Sequence, residues 1–98
     1  MSDAEADWST QLDDLRTEIE QIDRDLIQLI ARRVRIARQV GDLKRSGGQP
    51  TLDPAREAAV VRRAGAVARE FGLAEEDVRE IFWHLIGLSR RAQAEGAA

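Results

Sequence analysis

Aliphatic side chains recur at every third or fourth position over a long stretch of the N-terminal half of the chain. The series is Leu12, Leu15, Ile19, Ile22, Leu26, Leu29, Arg33, Ile36, Val40 and Leu43. This spacing predicts one apolar face on a long helix, interrupted only by Arg33. Because burying an unpaired guanidinium is costly, Arg33 needs an anionic partner, which is either part of the protein or a ligand.

Two further helices are predicted after the long one. The segment 46–50, Ser-Gly-Gly-Gln-Pro, breaks the first helix. Asp53 is a good cap for a second helix, and Pro54 suits its first position. This helix is predicted to stop at Gly72, a residue that favours a left-handed cap. The third helix carries one stripe of Val78, Phe82, Leu85, Ser89 and Ala92. The predicted fold class is therefore all-α, with one long and two shorter helices.

The length of the first helix predicts an oligomer. At 1.5 Å per residue it spans about 50–55 Å, whereas a compact chain of this size has a radius of gyration of about 13 Å. The other helices cannot cover it, so we expect an intertwined homodimer in which first helices pack together. With Ser9 or Thr10 as the predicted first cap, residues 1–8 are expected to form a disordered tail, 9–95 the domain and 96–98 a second tail.

Composition narrows the function classes. The 98 residues have a net charge of −3, which argues against nucleic acid as a general partner. The absence of cysteine excludes disulfides and thiolate metal sites, and no carboxylate cluster suggests a metal. No apolar run approaches the ~20 residues that span a membrane, and the acidic N-terminus does not resemble a signal peptide, so a cytoplasmic location is expected. His84 and the Arg90-Arg91 pair are interpreted as surface or partly packed groups.

Lys44 is a candidate partner of Arg33 in ligand binding. It follows Arg33 by eleven residues, so both point to the same side of the helix, roughly 16 Å apart. Two long cationic side chains there can hold a small dianion. The simpler alternatives stay open at this point: Arg33 as a device that fixes helix register, and Lys44 as a solvated lysine near a helix C-terminus.

Other polar residues share faces with apolar ones. Ser89 and Gln93 are four residues apart on the third helix and therefore share a face. They suggest hydrogen bonds to something polar, although Gln93 near a fraying end is often merely exposed. Glu57 shares a face with Val61, which is unexpected for a carboxylate; as a first-turn acid it also suits the helix dipole. Asp53 needs no function beyond capping.

Arg16 lies too far along the helix to join Arg33 at one small ligand. The two are seventeen residues apart, about 25 Å in a straight helix. In an antiparallel pair of helices, Arg16 of one subunit meets Arg33 of the other. Taken singly, Arg16 is explained as an ordinary exposed arginine.

The order and spacing of several motifs resemble the all-helical (type II) chorismate mutases over about residues 12–93. Each motif is weak alone, whereas their joint spacing is specific. The motifs are Leu15-Arg16, Ile22-Asp23, Ala31-Arg32-Arg33, Val40-Gly41-Asp42-Leu43-Lys44, Asp53-Pro54-Ala55-Arg56-Glu57 and Ser89-x3-Gln93.

The resemblance implies a homodimer with two equivalent sites, each completed by an arginine from the partner's first helix. Arg16 matches that donated arginine and would hold one carboxylate of the substrate, chorismate. Arg33, assisted by Ser89, matches the group holding the other carboxylate. Lys44 and Gln93 match the pair that hydrogen-bonds the ether oxygen. Lys44, Gln93 and Arg33 are thus the implied catalytic residues.

The remaining matches concern the ring of the substrate. Glu57, with the Asp53 region, matches the residues that receive the ring hydroxyl, and Arg56 matches a further basic position. The implied reaction is the rearrangement of chorismate to prephenate in phenylalanine and tyrosine biosynthesis. Because it is a one-step intramolecular bond shift, it implies no cofactor and no metal.

Three alternatives remain beside this function. The same fold can act on 4-amino-4-deoxychorismate or eliminate pyruvate from isochorismate, although Glu57 near Asp53 favours a ring hydroxyl. A non-enzymatic helical dimerisation module explains the apolar face and Arg33. It does not explain Lys44, Glu57 and the Ser89–Gln93 pair together.

Overall fold

Residues 3–97, the part of the chain that the computed structural model describes, form three helices. These are α1, Asp3–Ser46, α2, Pro54–Glu70, and α3, Glu75–Ala97. The predicted all-α class with one long and two shorter helices is confirmed for these residues. None of the described helices has an apolar stretch long enough to cross a bilayer.

The start of α1 differs from the prediction. The helix begins at Asp3, so the predicted cap at Ser9 or Thr10 is wrong. No Gly or Pro occurs between positions 3 and 8, so nothing interrupts the helix there. Residues 3–8 and 96–97, expected in the tails, belong to α1 and α3. Met1, Ser2 and Ala98 lie outside the described residues.

The predicted boundaries of α2 are confirmed in atomic detail. The side chain of Asp53 accepts a hydrogen bond from the backbone N–H of Arg56 at 3.0 Å, and Pro54 opens the helix. At the other end Gly72 has a φ of 72°, and the N–H of Leu73 donates to the carbonyl of Ala68 at 2.9 Å. This pattern is a Schellman motif, which satisfies carbonyls at the helix end.

The chain divides into two compact units, Met1–Ala31 and Arg32–Ala98. In the second unit α2 packs against α3. Its buried apolar side chains, each at most 7% exposed, are Val61, Ala64, Ala68, Ile86 and Ala92. Most are alanine or valine, so α2 and α3 approach closely but enclose only a small core.

The unit Met1–Ala31 consists of the N-terminal part of α1. Its aliphatic stripe remains more than half exposed in the single chain, at Leu15, Ile19, Ile22, Leu26 and Leu29. A contiguous apolar surface of this kind is unusual for a monomer and marks an interaction site.

Replacing Gly72 by alanine should lower the free energy of unfolding by about 1–2 kcal/mol, because an L-residue is strained at this positive φ. Beyond the two chain neighbours of Gly72, no atom of the described residues lies within 4 Å of the added Cβ, so the loss reports the backbone alone. Gly72→Asn should lose less. As a control, Gly87→Ala should gain about 0.5–1 kcal/mol, since a helical glycine is replaced without a clash. Urea unfolding at one fixed protein concentration measures all three variants; equal stability of Gly72→Ala and the wild type would contradict the expectation.

Candidate active site

A cavity of about 290 Å³ lies within the unit Arg32–Ala98, where α1, α2 and α3 contribute to its lining. Six of the seven substrate-binding residues predicted from the sequence line it: Arg33, Lys44, Asp53, Glu57, Ser89 and Gln93. Arg56 lines it as well. The seventh predicted residue, Arg16, belongs to the unit Met1–Ala31 and has an exposed side chain.

The charges around this cavity favour an anionic ligand. Its carboxylates are Asp53 and Glu57, whereas its cations among the described residues are Arg33, Lys44, Arg56, Arg63 and Arg90. The excess of positive charge in a concave site attracts a small dianion.

Two of these cations, Arg63 and Arg90, are not among the site residues predicted from the sequence. Arg63 lies seven positions after Arg56 and three after Val60, so helical spacing alone puts it on the lining face of α2. Arg90 lies three positions before Gln93 on α3. Each spacing was a usable signal, although neither reveals which groups the side chain contacts.

Arg33 contacts a neutral hydroxyl rather than a carboxylate. Its Nη1 donates to the Oγ of Ser89 at 2.9 Å, and that Oγ donates in turn to the carbonyl of Leu85 at 3.1 Å. Among the described residues, none of the ion pairs includes Arg33. Ser89 therefore orients the guanidinium without neutralising it, which leaves the charge available to a ligand carboxylate.

Lys44 is partly buried on the last turn of α1 and is the only lysine in the sequence. Its Nζ donates to the backbone carbonyl of Thr51 at 3.4 Å, a long contact to a neutral group. An ammonium group acts as a compact point charge, whereas a guanidinium matches the fork of a carboxylate. Lys44 is thus suited to a single ligand oxygen, and Arg33 to a carboxylate.

Gln93 reaches the cavity because α3 passes close to α1 at a glycine. Its Nε2 donates to the carbonyl of Ala37 at 3.0 Å, and its own backbone carbonyl accepts from Arg45 at 3.2 Å. Gly41 is buried, and a Cβ there would lie only 3.0 Å from the Cγ of Gln93. One amide hydrogen is therefore held by α1, while the second remains available to a ligand.

Glu57 forms a two-point ion pair with Arg90. The Nε of Arg90 donates to Oε2 of Glu57 at 2.7 Å, and its Nη2 contacts Oε1. These bonds lower the pKa of Glu57 below its ordinary value, although burial opposes the shift. The hydrogen bonds likewise raise the pKa of Arg90. Glu57 is therefore an ionised acceptor on the cavity wall.

Together these groups can bind and orient a small dianion and direct hydrogen-bond donors at it. Arg33 offers a guanidinium, Lys44 and Gln93 offer donors, and Glu57 offers an acceptor. Within residues 3–97, no group of three or more His, Asp or Glu side chains is arranged to hold a metal ion.

Comparisons with known proteins identify the family. The family model described as chorismate mutase type II matches residues 15–94. A chorismate mutase of Methanocaldococcus jannaschii is 31% identical over 85 residues, which cover 87% of this chain and 86% of that protein. No solved structure matches the chain at a significant level.

Two further relatives are much longer than this chain. A "T-protein" of Haemophilus influenzae is 37% identical over 70 residues, covering 71% of this chain and 19% of that protein. A 3-dehydroquinate dehydratase of Pyrobaculum aerophilum is 39% identical over 59 residues, covering 60% and 20%. The chain thus spans about a fifth of the length of each. The family match over most of the chain is nevertheless sufficient: the chain belongs to the type II chorismate mutase family.

Proposed function

We propose that this chain converts chorismate to prephenate in the biosynthesis of phenylalanine and tyrosine. The single observation that carries the proposal is the cation-rich cavity in which Arg33, Lys44, Glu57, Ser89 and Gln93 meet. Family membership supports it, as does the similarity to the M. jannaschii chorismate mutase over most of both chains.

Binding is proposed to select the reactive conformer of the substrate. Chorismate carries two carboxylates, and its enolpyruvyl arm must fold over the ring before the new C–C bond can form. Arg33, oriented by Ser89, holds one carboxylate through charge-assisted hydrogen bonds. Fixing the folded conformer lowers the barrier, because the entropy of ordering is lost on binding rather than during reaction.

Lys44 and Gln93 are proposed to stabilise the transition state. Negative charge grows on the ether oxygen as its C–O bond breaks, so donors aimed at this oxygen bind the transition state more strongly than the substrate. Both residues line the cavity, and Gln93 is held by its bond to Ala37. The reaction then proceeds without a covalent intermediate or a proton transfer.

Glu57, with Asp53 near it, is proposed to accept the hydrogen bond of the ring hydroxyl. Glu57 is held ionised by Arg90, and an ionised carboxylate can only accept hydrogen bonds. Asp53 already uses one oxygen to cap α2. Glu57 is therefore the main acceptor, and Asp53 supports its position at the start of the helix.

We infer that a second copy of the chain covers the aliphatic stripe of α1 and completes the site. Leu15, Ile19 and Ile22 are each more than half exposed, and a second copy presents the same apolar stripe, as a two-fold interface requires. Arg16 adjoins Leu15, so pairing along this stripe would deliver Arg16 to the partner, where it would hold the second carboxylate.

A cytoplasmic location stays a prediction.

Loss of chorismate absorbance, with the product identified by mass and chromatography, tests the proposed function. Prephenate is the expected product. Turnover of 4-amino-4-deoxychorismate in preference to chorismate, or release of pyruvate from isochorismate, would assign a different reaction to the same cavity. Inactivity on all three substrates would favour a dimerisation module.

Lys44→Ala should lower kcat by roughly a hundredfold or more, the effect typical of removing one oxyanion donor. Lys44→Arg keeps the charge but not the compact donor, so it should recover only part of the activity. Steady-state kinetics measure both variants, with circular dichroism as a check on folding. Near-normal kcat in Lys44→Ala would remove this residue from the mechanism.

Gly41→Ala should lower kcat because its Cβ, 3.0 Å from the Cγ of Gln93, pushes that side chain by a few tenths of an ångström and weakens its bond to Ala37. The loss should nearly disappear when Gly41→Ala is introduced into a Gln93→Ala background, since the residue it displaces is already truncated. Gly87→Ala, a helical glycine with room for a methyl group, is the matched control and should leave kcat unchanged. Equal losses from Gly41→Ala in both backgrounds would contradict a role through Gln93.

Mixing the inactive variants Arg16→Ala and Arg33→Ala should restore part of the activity. In a mixed dimer one site carries both mutations while the other keeps both arginines. Subunit exchange is verified by native mass spectrometry, and sedimentation gives the oligomeric state. No recovery despite proven exchange, or a monomeric wild type with full activity, would contradict the shared site.

A further inference from the structure

We propose that Arg90 is a positioning residue that acts through Glu57, fixing the carboxylate that receives the ring hydroxyl and keeping it from pairing with Lys44. This inference rests on the proposed function. From the sequence, Arg90 is interpreted as a surface or partly packed group; its side chain is 52% exposed, whereas that of Glu57 is only 15% exposed.

The geometry of the Arg90–Glu57 ion pair restricts the orientation of the Glu57 carboxylate. Nε and Nη2 of Arg90 each engage a different oxygen of the carboxylate. Such fork-to-fork contact fixes the plane of the carboxylate as well as its position. Each carboxylate oxygen has a second lone pair, so Glu57 can still accept a hydrogen bond from a ligand. Because Arg90 lies on α3 and Glu57 on α2, the contact also joins the two helices at the cavity.

The charges around Glu57 explain why its ion pair with Arg90 matters. Three groups act on it from three elements: Arg90 on α3, Lys44 on α1 and Asp53 at the cap of α2. Asp53 and burial favour protonation of Glu57, whereas Arg90 and Lys44 oppose it. Without Arg90, Lys44 is the remaining cation of the three. Glu57 then becomes easier to protonate, and whenever it is ionised it can turn towards the Lys44 ammonium and compete with the substrate for it.

Arg90→Ala should therefore lower kcat roughly tenfold to a hundredfold, the scale on which misplacement of a site group by about 1 Å reduces rate. Arg90→Lys keeps the charge but loses the two-point contact, so it should recover only part of the activity. The matched control is Arg91→Ala, which removes a neighbouring exposed arginine from the same helix and should leave kcat unchanged. Circular dichroism verifies that each variant is folded.

A double-mutant cycle distinguishes action through Glu57 from direct contact with substrate. If Arg90 acts through Glu57, Arg90→Ala should cost no more than about twofold in a Glu57→Ala background. Equal losses in both backgrounds would overturn the positioning role and assign Arg90 to direct substrate binding.

The pH dependence provides a second readout. Arg90 lowers the pKa of Glu57 in the folded protein, so the wild type keeps its acceptor ionised as pH falls. Removing Arg90 raises that pKa, and the acidic limb of the kcat/KM profile should move to higher pH. The limb should stay in place for Arg91→Ala. An unmoved limb in Arg90→Ala would count against the proposal.

Carboxyl-carbon NMR titration of Glu57 tests the pair without any assay of activity. The pKa of Glu57 should be higher in Arg90→Ala than in the wild type, and unchanged in Arg91→Ala. An equal pKa of Glu57 in all three proteins would contradict the Arg90–Glu57 ion pair itself. If this shift is observed but the wild type lacks mutase activity, the Arg90–Glu57 ion pair is confirmed. The proposed function then fails, and with it the role of Arg90 in positioning Glu57 for the substrate.

Discussion

The site depends on the polar contacts that join the C-terminal part of α1 to α3. Ser89 accepts from Arg33, and Gln93 donates to the carbonyl of Ala37 where Gly41 allows the helices to approach. These contacts lie beside a core built mainly from small side chains. Hydrogen bonds between α1 and α3 therefore help to fix the positions of Arg33 and Gln93 at the cavity.

The positive charges that line the cavity outnumber its carboxylates, and this excess of positive charge is its main chemical property. Within the part of the chain that the structure describes, Glu57 is paired with Arg90, whereas Arg33 and Lys44 donate hydrogen bonds only to neutral oxygens. Keeping cations near one another costs stability, and an anionic ligand relieves this cost. The same arrangement suits a reaction in which charge shifts within one bound molecule, because fixed donors need not reorganise as the bond breaks.

Much of the site was predictable because helical spacing determines which residues share a face. The spacing of Arg33 with Lys44, and of Ser89 with Gln93, placed each pair on one side of its helix, and all four line the cavity. The Arg90–Glu57 contact was not predictable in this way. It joins residues 33 positions apart on different helices, so it depends on how α2 and α3 are rotated and shifted against each other.

By itself the sequence determined the three helices, the Asp53 cap, the left-handed end at Gly72 and the motif spacing that identifies the family. These features are local, since they depend on periodicity and on the conformational preferences of single residues. Only the tertiary structure decided the contacts of Gly41 and Arg90. Both depend on distances between helices, and periodicity along one helix carries no information about such distances.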